Sequence, residues 1–265
     1  MSILAYIIIF TLIGSVVALV GGVILLVREK FAIRISHYLA SFAAGTLLGA
    51  AFLDLLPHAQ EHAEELGGMN IALWVLIGFL FFFLIERFIL WFHHYHSHHL
   101  HGHTIEVKKK AKSVVPLVVL GDSFHNFLDG AVIAATFLVS IPLGIVTTLA
   151  VAAHEIPQEI GDFGILIHQG IKRGKVLLIN FISALMALIG ALITYAIGQS
   201  IEMFLPILLS IAAGFFIYIA ASDLIPEIHN EDKKIVALFE TILLFLGVLI
   251  IWAAITSLHL LGFSH

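Results

Sequence analysis

Eight apolar runs recur along the chain, at about 3–27, 35–57, 71–92, 114–139, 143–168, 175–198, 203–225 and 235–261. Each exceeds the ~20 residues that cross a hydrocarbon core. In lipid the backbone must satisfy its own hydrogen bonds, and runs of this length do so as helices. The expected fold is an all-α integral membrane protein with eight transmembrane helices. Composition agrees: 60% of residues are hydrophobic, 12% are charged, and the mean hydropathy is +1.07. Soluble domains are about a quarter charged. The connectors are short apart from 93–113, so residues 1–265 are expected to form a single transmembrane domain. The first run is too long for a signal-peptide core and has no basic flank, and it is expected to be a retained helix. With no cysteine in the chain, disulfides and thiolate metal sites are excluded.

Orientation follows from basic residues, which favour the cytoplasmic side. Eleven of the thirteen Lys and Arg fall on the odd-numbered connectors, and the other two, Arg87 and Lys175, at the span ends beside them. The chain is therefore expected to cross the cell membrane several times with both termini outside the cytoplasm. The connector 58–70 carries Glu61, Glu64 and Glu65 and no basic residue. An internal repeat is also visible. Residues 44–57 read AGTLLGAAFLDLLP and residues 213–226 read AGFFIYIAASDLIP, with the Ala-Gly, the Asp and the Pro at a common offset of 169. One copy would run outward and the other inward. The pattern predicts a 3+2+3 arrangement, in which spans 1–3 and 6–8 form an inverted repeat around central spans 4 and 5. Such symmetry is common in secondary transporters, whose sites lie near the repeat interface.

The two central spans hold most of the buried chemistry. Residues 121–130 read GDSFHNFLDG and residues 154–163 read HEIPQEIGDF. His125 and Asp129 are four apart and share a helix face, about 6 Å from each other. Asn126 lies beside His125, and Asp122 is four residues before Asn126. His154 and Gln158 are four apart, as are Glu155 and Glu159. Pro157 lacks an N–H and clashes with the Ala153 carbonyl, so a kink is expected there. His125 lies eleven residues into its span and His154 eleven into the next, from the opposite side. At ~1.5 Å per residue both reach about 16 Å deep, near the bilayer midplane. Each ionised carboxylate at that depth costs on the order of 3 kcal/mol. No Lys or Arg is present there as a counter-ion, so either protons or a cation must neutralise the group. Imidazole, carboxylate and amide oxygen together suit a divalent metal; zinc, iron, manganese and cadmium stay open.

HNFLDG and HEIPQEIGD resemble the fourth- and fifth-helix signatures of the ZIP (Zrt/Irt-like) metal transporters, in the branch with a HExPxExGD fifth helix. The eight spans, the outward termini and a His-rich third connector fit the same family. The resemblance implies a transporter domain that moves divalent metal, zinc above all, into the cytoplasm by alternating access. It also implies a binuclear midplane centre. His125, Asp129, His154 and Gln158 match one metal site; Asn126, Asp129, Glu155 and Gln158 match the second. Family members often have His or an acid at position 158. Gln158 is a neutral amide, a weaker ligand and a poor bridge between two metals, so two alternatives stand: the two sites do not fill together, or Glu159 substitutes. The metal is expected as transported substrate, with no organic cofactor.

Other polar groups extend this picture. Asp54 and His58 at one end of span 2, and Asp223 and Glu227 at one end of span 7, are candidates for taking up and releasing metal, with Asp122 and Asp162 lining the release side. Residues 93–103 hold His93, His94, His96, His98, His99, His101 and His103, a tract that can bind metal loosely. The Phe run 81–83 and Trp74 and Trp91 are expected to face lipid or the interface. Expected partners are divalent metal ions and the bilayer, together with a homodimer and no nucleic acid. Two rival readings are weighed. HEIPQ resembles the zinc-hydrolase pattern H-E-x-x-H, but Gln158 replaces its second His. A cation-diffusion exporter also uses His and Asp four apart, though with six spans. No enzymatic activity is expected.

Overall fold

The computed structural model describes residues 1–95, 106–198, 204–229 and 234–260, with the backbone alone for 89–95, 106–114, 117, 227, 229 and 259. Every regular element among them is helical. In chain order these are α1 (Ile3–Ala50), a π turn (Ala51–Leu55), α2 (Leu56–Glu65), α3 (Ile71–Tyr95), α4 (Glu106–Val139), α5 (Ile141–His168), α6 (Arg173–Gly198), α7 (Leu205–Tyr218), a second π turn (Ile219–Leu224), α8 (Ile225–His229) and α9 (Lys234–Leu260). Serine caps start two of them: Ser2 accepts from the Ala5 N–H and Ser140 from the Leu143 N–H. Such caps satisfy donors that the first helical turn leaves free.

Among the described residues, five helical stretches are long and apolar enough to cross a membrane: Ile3–Glu65, Ile71–Phe88, Arg173–Gly198, Leu205–Leu224 and Lys234–Leu258. α4 and α5, which carry the polar motifs, are not among the five. The first stretch has 63 residues. At ~1.5 Å per residue it would be about 95 Å long, roughly three hydrocarbon thicknesses. It does not run straight. Arg28 has φ −140° and ψ 66°, which ends one helix and lets the next begin. The carbonyl of Leu26, two residues before the break, accepts a hydrogen bond of 2.9 Å from Arg173. Ile7 shares a core cluster with Leu47 and Leu55, while Leu25 shares another with Ala32. Both halves thus contribute to the same two core clusters.

Several expected boundaries are corrected. Residues 58–65 continue as helix α2, and the chain turns at Gly67 and Gly68, both at positive φ. The loop expected at 93–113 is shorter, because 93–95 belong to α3 and 106–113 to α4. α5 runs as one helix through Pro157. The expected kink does not break it, because the missing N–H removes only one rung of the ladder.

The π turns have an identifiable cause. Each ends two residues before a proline, Pro57 or Pro226. A proline ring clashes with the carbonyl four residues back. Widening the turn relieves the clash, and the hydrogen bonds become Leu56 N–H to Ala51 O and Ile225 N–H to Ala220 O, five residues apart. Asp54 sits in the first π turn and Asp223 in the second, 169 residues on.

The same shift organises the helix crossings. A Cβ on Gly45 would overlap the Leu244 carbonyl, and one on Gly214 would overlap the Val75 carbonyl. A Cβ on Gly247 would overlap the Phe42 carbonyl, and one on Gly78 that of Ile211. Adding 169 to 42, 45, 75 and 78 gives 211, 214, 244 and 247, so the two sets of contacts are equivalent. A third pair fits the same rule. Gly21 meets the Ile156 carbonyl and Gly190 that of Phe127. Phe127 and Ile156 each lie two residues after a motif histidine, His125 and His154. Glycine permits backbones to approach this closely where any larger side chain would push them apart. Four crossings pair the first half of α1 with α5, α4 with α6, the second half of α1 with α9, and α3 with α7.

Candidate metal centre

α4 and α5 bring four side chains together: His125, Asp129, His154 and Glu155, with one ligand atom from each lying within 4.8 Å of the others. All four are buried. The two imidazoles face each other, with Nε2 of His125 3.1 Å from Nε2 of His154. Oδ2 of Asp129 is 3.5 Å from His125 Nε2 and 3.4 Å from His154 Nε2. Oε1 of Glu155 is 3.6 Å and 3.9 Å from the same two nitrogens. Ligands about 2.0–2.1 Å from zinc at tetrahedral corners lie roughly 3.3–3.4 Å apart. The observed spacings bracket that edge length. The carboxylate oxygens of Asp129 and Glu155 receive no hydrogen bond, and buried charge in that condition requires a compensating partner.

The tautomer of His154 is set by its other nitrogen. Nδ1 lies 3.1 Å from the Ala150 carbonyl, which can only accept. Nδ1 therefore carries the proton, and Nε2 presents a lone pair to the cluster, the usual arrangement of a metal-binding imidazole.

The remaining predicted residues are placed around this group. Asn126 donates 2.8 Å to Asp122 Oδ1 and 3.1 Å to the Asp122 carbonyl, on its own helix. Gln158 is half-buried and lines a cavity beside the cluster. Glu159 is 1% exposed and neither of its carboxylate oxygens is hydrogen-bonded, yet it lies outside the four-atom group. The cavity, of about 950 Å³, starts at His125 and His154 and passes Asp122, Asp162 and Asp223 to Glu29 and His168. Its far end is the one bearing Arg28, Lys30 and Arg173. Away from that end, Leu47, Ala51, Leu55, Val146, Ala150 and Phe216 are all buried in one core cluster. The repeat-related aspartates differ accordingly. Asp54 is 3% exposed and its neighbour His58 is also buried, whereas Asp223 is exposed and lines the cavity. His58 Nδ1 bonds the Asp54 carbonyl at 2.8 Å. The Glu227, His93 and His94 side chains, and His96, His98, His99, His101 and His103 altogether, lie outside what the structure describes.

Several residues of the site carry no motif. Phe82, expected to face lipid, is 7% exposed and packs edge-on against His125, while Phe81 and Phe83 are exposed as expected. The fault lay in treating three consecutive residues as one face, when a helix turns about 100° per residue. Glu86 lines the cavity and accepts a short hydrogen bond from the Tyr218 hydroxyl. Asn180 and Ser183 of α6 are buried, and Ser183 Oγ lies 2.8 Å from Ser123 Oγ of α4. Polar residues inside an otherwise apolar span were the available signal for this pair.

The profile of the family described as ZIP zinc transporter matches residues 1–116 and 93–254, most of the chain. The chain belongs to the ZIP zinc transporter family. Similar curated proteins carry the same name. It is 31% identical to zinc transporter ZIP4 of Mus musculus over 81% of this chain and 42% of that protein. It is 32% identical to zinc transporter ZIP13 of Pongo abelii over 80% of this chain and 64% of that protein. It is 33% identical to zinc transporter ZIP13 of Mus musculus over 85% of this chain and 71% of that protein. The chain thus spans between about two fifths and seven tenths of these ZIP relatives, which are named as transporters and not as enzymes. Family membership agrees with the helical, membrane-length elements of this ZIP chain and with its buried His and carboxylate cluster.

Proposed function

We propose that this ZIP protein carries divalent metal, with zinc as its principal substrate, across the cell membrane into the cytoplasm. The observation that carries the reading is the buried cluster of two imidazoles and two carboxylates, whose histidines line a cavity. Its spacing suits a tetrahedral ion, and the names of the relatives specify zinc. The ligand set is His125, Asp129, His154 and Glu155, with Asn126, Gln158 and Glu159 close enough in sequence to join after small side-chain movements. Metal bound there sheds its water onto the four ligands and leaves through the cavity past Asp122, Asp162 and Asp223. Asp54 and His58 receive the ion at the opposite face.

Eight spans in a 3+2+3 inverted repeat remain the best account of the whole chain. The break at Arg28 divides the first long stretch in two, and the crossings repeat at 169 residues. The chain is then open toward the basic connectors, taken as cytoplasmic. Asp54 is closed off where Asp223 is open, so exchanging the roles of the two repeats generates the opposite state. The glycine crossings join α4 to α6 and α5 to the first half of α1. These four elements move as one body against the rest, in place of the central pair moving alone. A pair of such transporters as a homodimer in the bilayer is part of the same reading.

The test is uptake by purified protein in vesicles offered zinc, iron, manganese and cadmium in competition. Zinc accumulates saturably, and His154→Ala, expressed to the same level, does not accumulate it. Peptide cleavage without uptake would favour the hydrolase alternative, and flux in the opposite direction an exporter.

A further inference from the structure

The two histidines occupy equivalent places in their helices, but they are held by different means. His154 is tethered by Nδ1 to the Ala150 carbonyl. Among the described residues, His125 has no such tether. Its ring is instead gripped by aromatic edges from two other helices. Phe82 of α3 meets it at 5.7 Å between ring centres and 81° between planes, and Phe215 of α7 at 5.5 Å and 60°. Phe82 and Phe215 also pack on each other at 4.3 Å, and both are buried. The contact crosses helices: α3 and α7 belong to one set of glycine crossings, and α4 to the other.

We propose that Phe82, with Phe215, is a positioning residue for the metal: it aims His125 Nε2 into the cluster and makes His125 the ligand that lets go when the helix sets move. The inference rests on the cluster being a transport site. His154 also meets an edge of Phe216 on α7, at a longer 6.3 Å, but its hydrogen-bond tether is to its own helix and travels with it, so its aim survives the loss of that contact. An aromatic clamp from neighbouring helices does not travel. When α4 slides past α3, the two phenyl edges leave the imidazole, and its ring is free to turn about χ1 and χ2. The structure catches the clamp in place, with Nε2 3.1 Å from its partner. Edge-to-face pairs of this kind contribute about 0.5–1.5 kcal/mol each beyond their buried area, enough to select a rotamer and small enough to be broken in a transport cycle.

The experiment compares wild type, Phe82→Ala, Phe82→Leu, Phe81→Ala and His154→Ala in reconstituted vesicles, with zinc as substrate and with Co²⁺ absorption as a probe of ligand geometry. Supporting groups around metal ligands are worth about 10–100-fold in affinity. The expected result is a rise of about tenfold in KM for Phe82→Ala with Vmax within about threefold of wild type. The Co²⁺ spectrum should lose tetrahedral intensity at the same time. Phe82→Leu, which keeps most of the volume without the ring, should give an intermediate KM, and it carries the test should Phe82→Ala fail to fold. Phe81→Ala, on the exposed side, should match wild type. Should both Phe82 variants keep the wild-type KM and Co²⁺ spectrum while His154→Ala loses uptake, the clamp is overturned and the transport site stands. If wild type itself neither takes up zinc nor binds Co²⁺, the transport reading fails first.

Discussion

Asp129 and Glu159 are both almost wholly buried carboxylates without hydrogen bonds, and only one of them faces the two histidines. This difference separates a ligand from a neighbour. Removing a ligand's charge while keeping its shape takes away both Coulomb attraction and a coordinating oxygen. Asp129→Asn is therefore expected to raise the KM for zinc uptake by well over tenfold. Glu159→Gln removes a buried carboxylate that no described donor satisfies, and it is expected to leave uptake within about threefold and the melting temperature in detergent no lower. Equal loss of uptake in the two variants would extend the site to Glu159. The imidazole tautomer belongs to this scale too. Because Ala150 contributes a backbone carbonyl, no substitution of its methyl group removes the tether on His154.

Among the elements, the crossings decide what the helices can do. Gly45 and Gly214 each lie against a carbonyl of a neighbouring helix, with no room for a Cβ. Overpacking a close contact costs about 1–3 kcal/mol, since backbone must shift. Gly45→Ala and Gly214→Ala are expected to lower the melting temperature in detergent by similar amounts. Gly161→Ala, where a Cβ would meet nothing within 4 Å, is expected to hold or raise it. Gly45→Ala melting with the wild type would undo the packing argument. The sequence disclosed much at this scale. The runs of apolar residues marked the helices, and the offset of 169 between Gly45 and Gly214 was already visible as an Ala-Gly match. The charged residues of 121–130 and 154–163 stood out because lipid penalises them. Other features were hidden for physical reasons. A wholly apolar helix carries no periodic stripe, so nothing distinguished Phe82 from Phe81. The π turns were hidden as well, because a proline marks a disturbed turn without saying whether the helix breaks or widens; the break at Arg28, by contrast, was legible in the basic connector between the runs 3–27 and 35–57. Five stretches, and not eight, pass as membrane-length helices among the described residues, because helix α1 merges two and polar groups dilute α4 and α5.

Among the described residues the metal cluster lies between a buried apolar core and an acid-lined cavity. The chain's lack of cysteine makes the arrangement easy to probe. Ser36 lines the cavity and Val146 is buried in the core. Ser36→Cys is expected to react with a membrane-impermeant maleimide supplied from the cytoplasmic face, and Val146→Cys from neither face. Labelling of Ser36→Cys only from outside would reverse the orientation. The central claim is that one divalent ion sits among His125, Asp129, His154 and Glu155. X-ray absorption of the zinc-loaded protein tests it most directly. The account predicts about four nitrogen and oxygen neighbours at about 2.0–2.1 Å, with imidazole scattering from two histidines that falls to one in His154→Ala. A spectrum without imidazole, or one unchanged by that substitution, would contradict it.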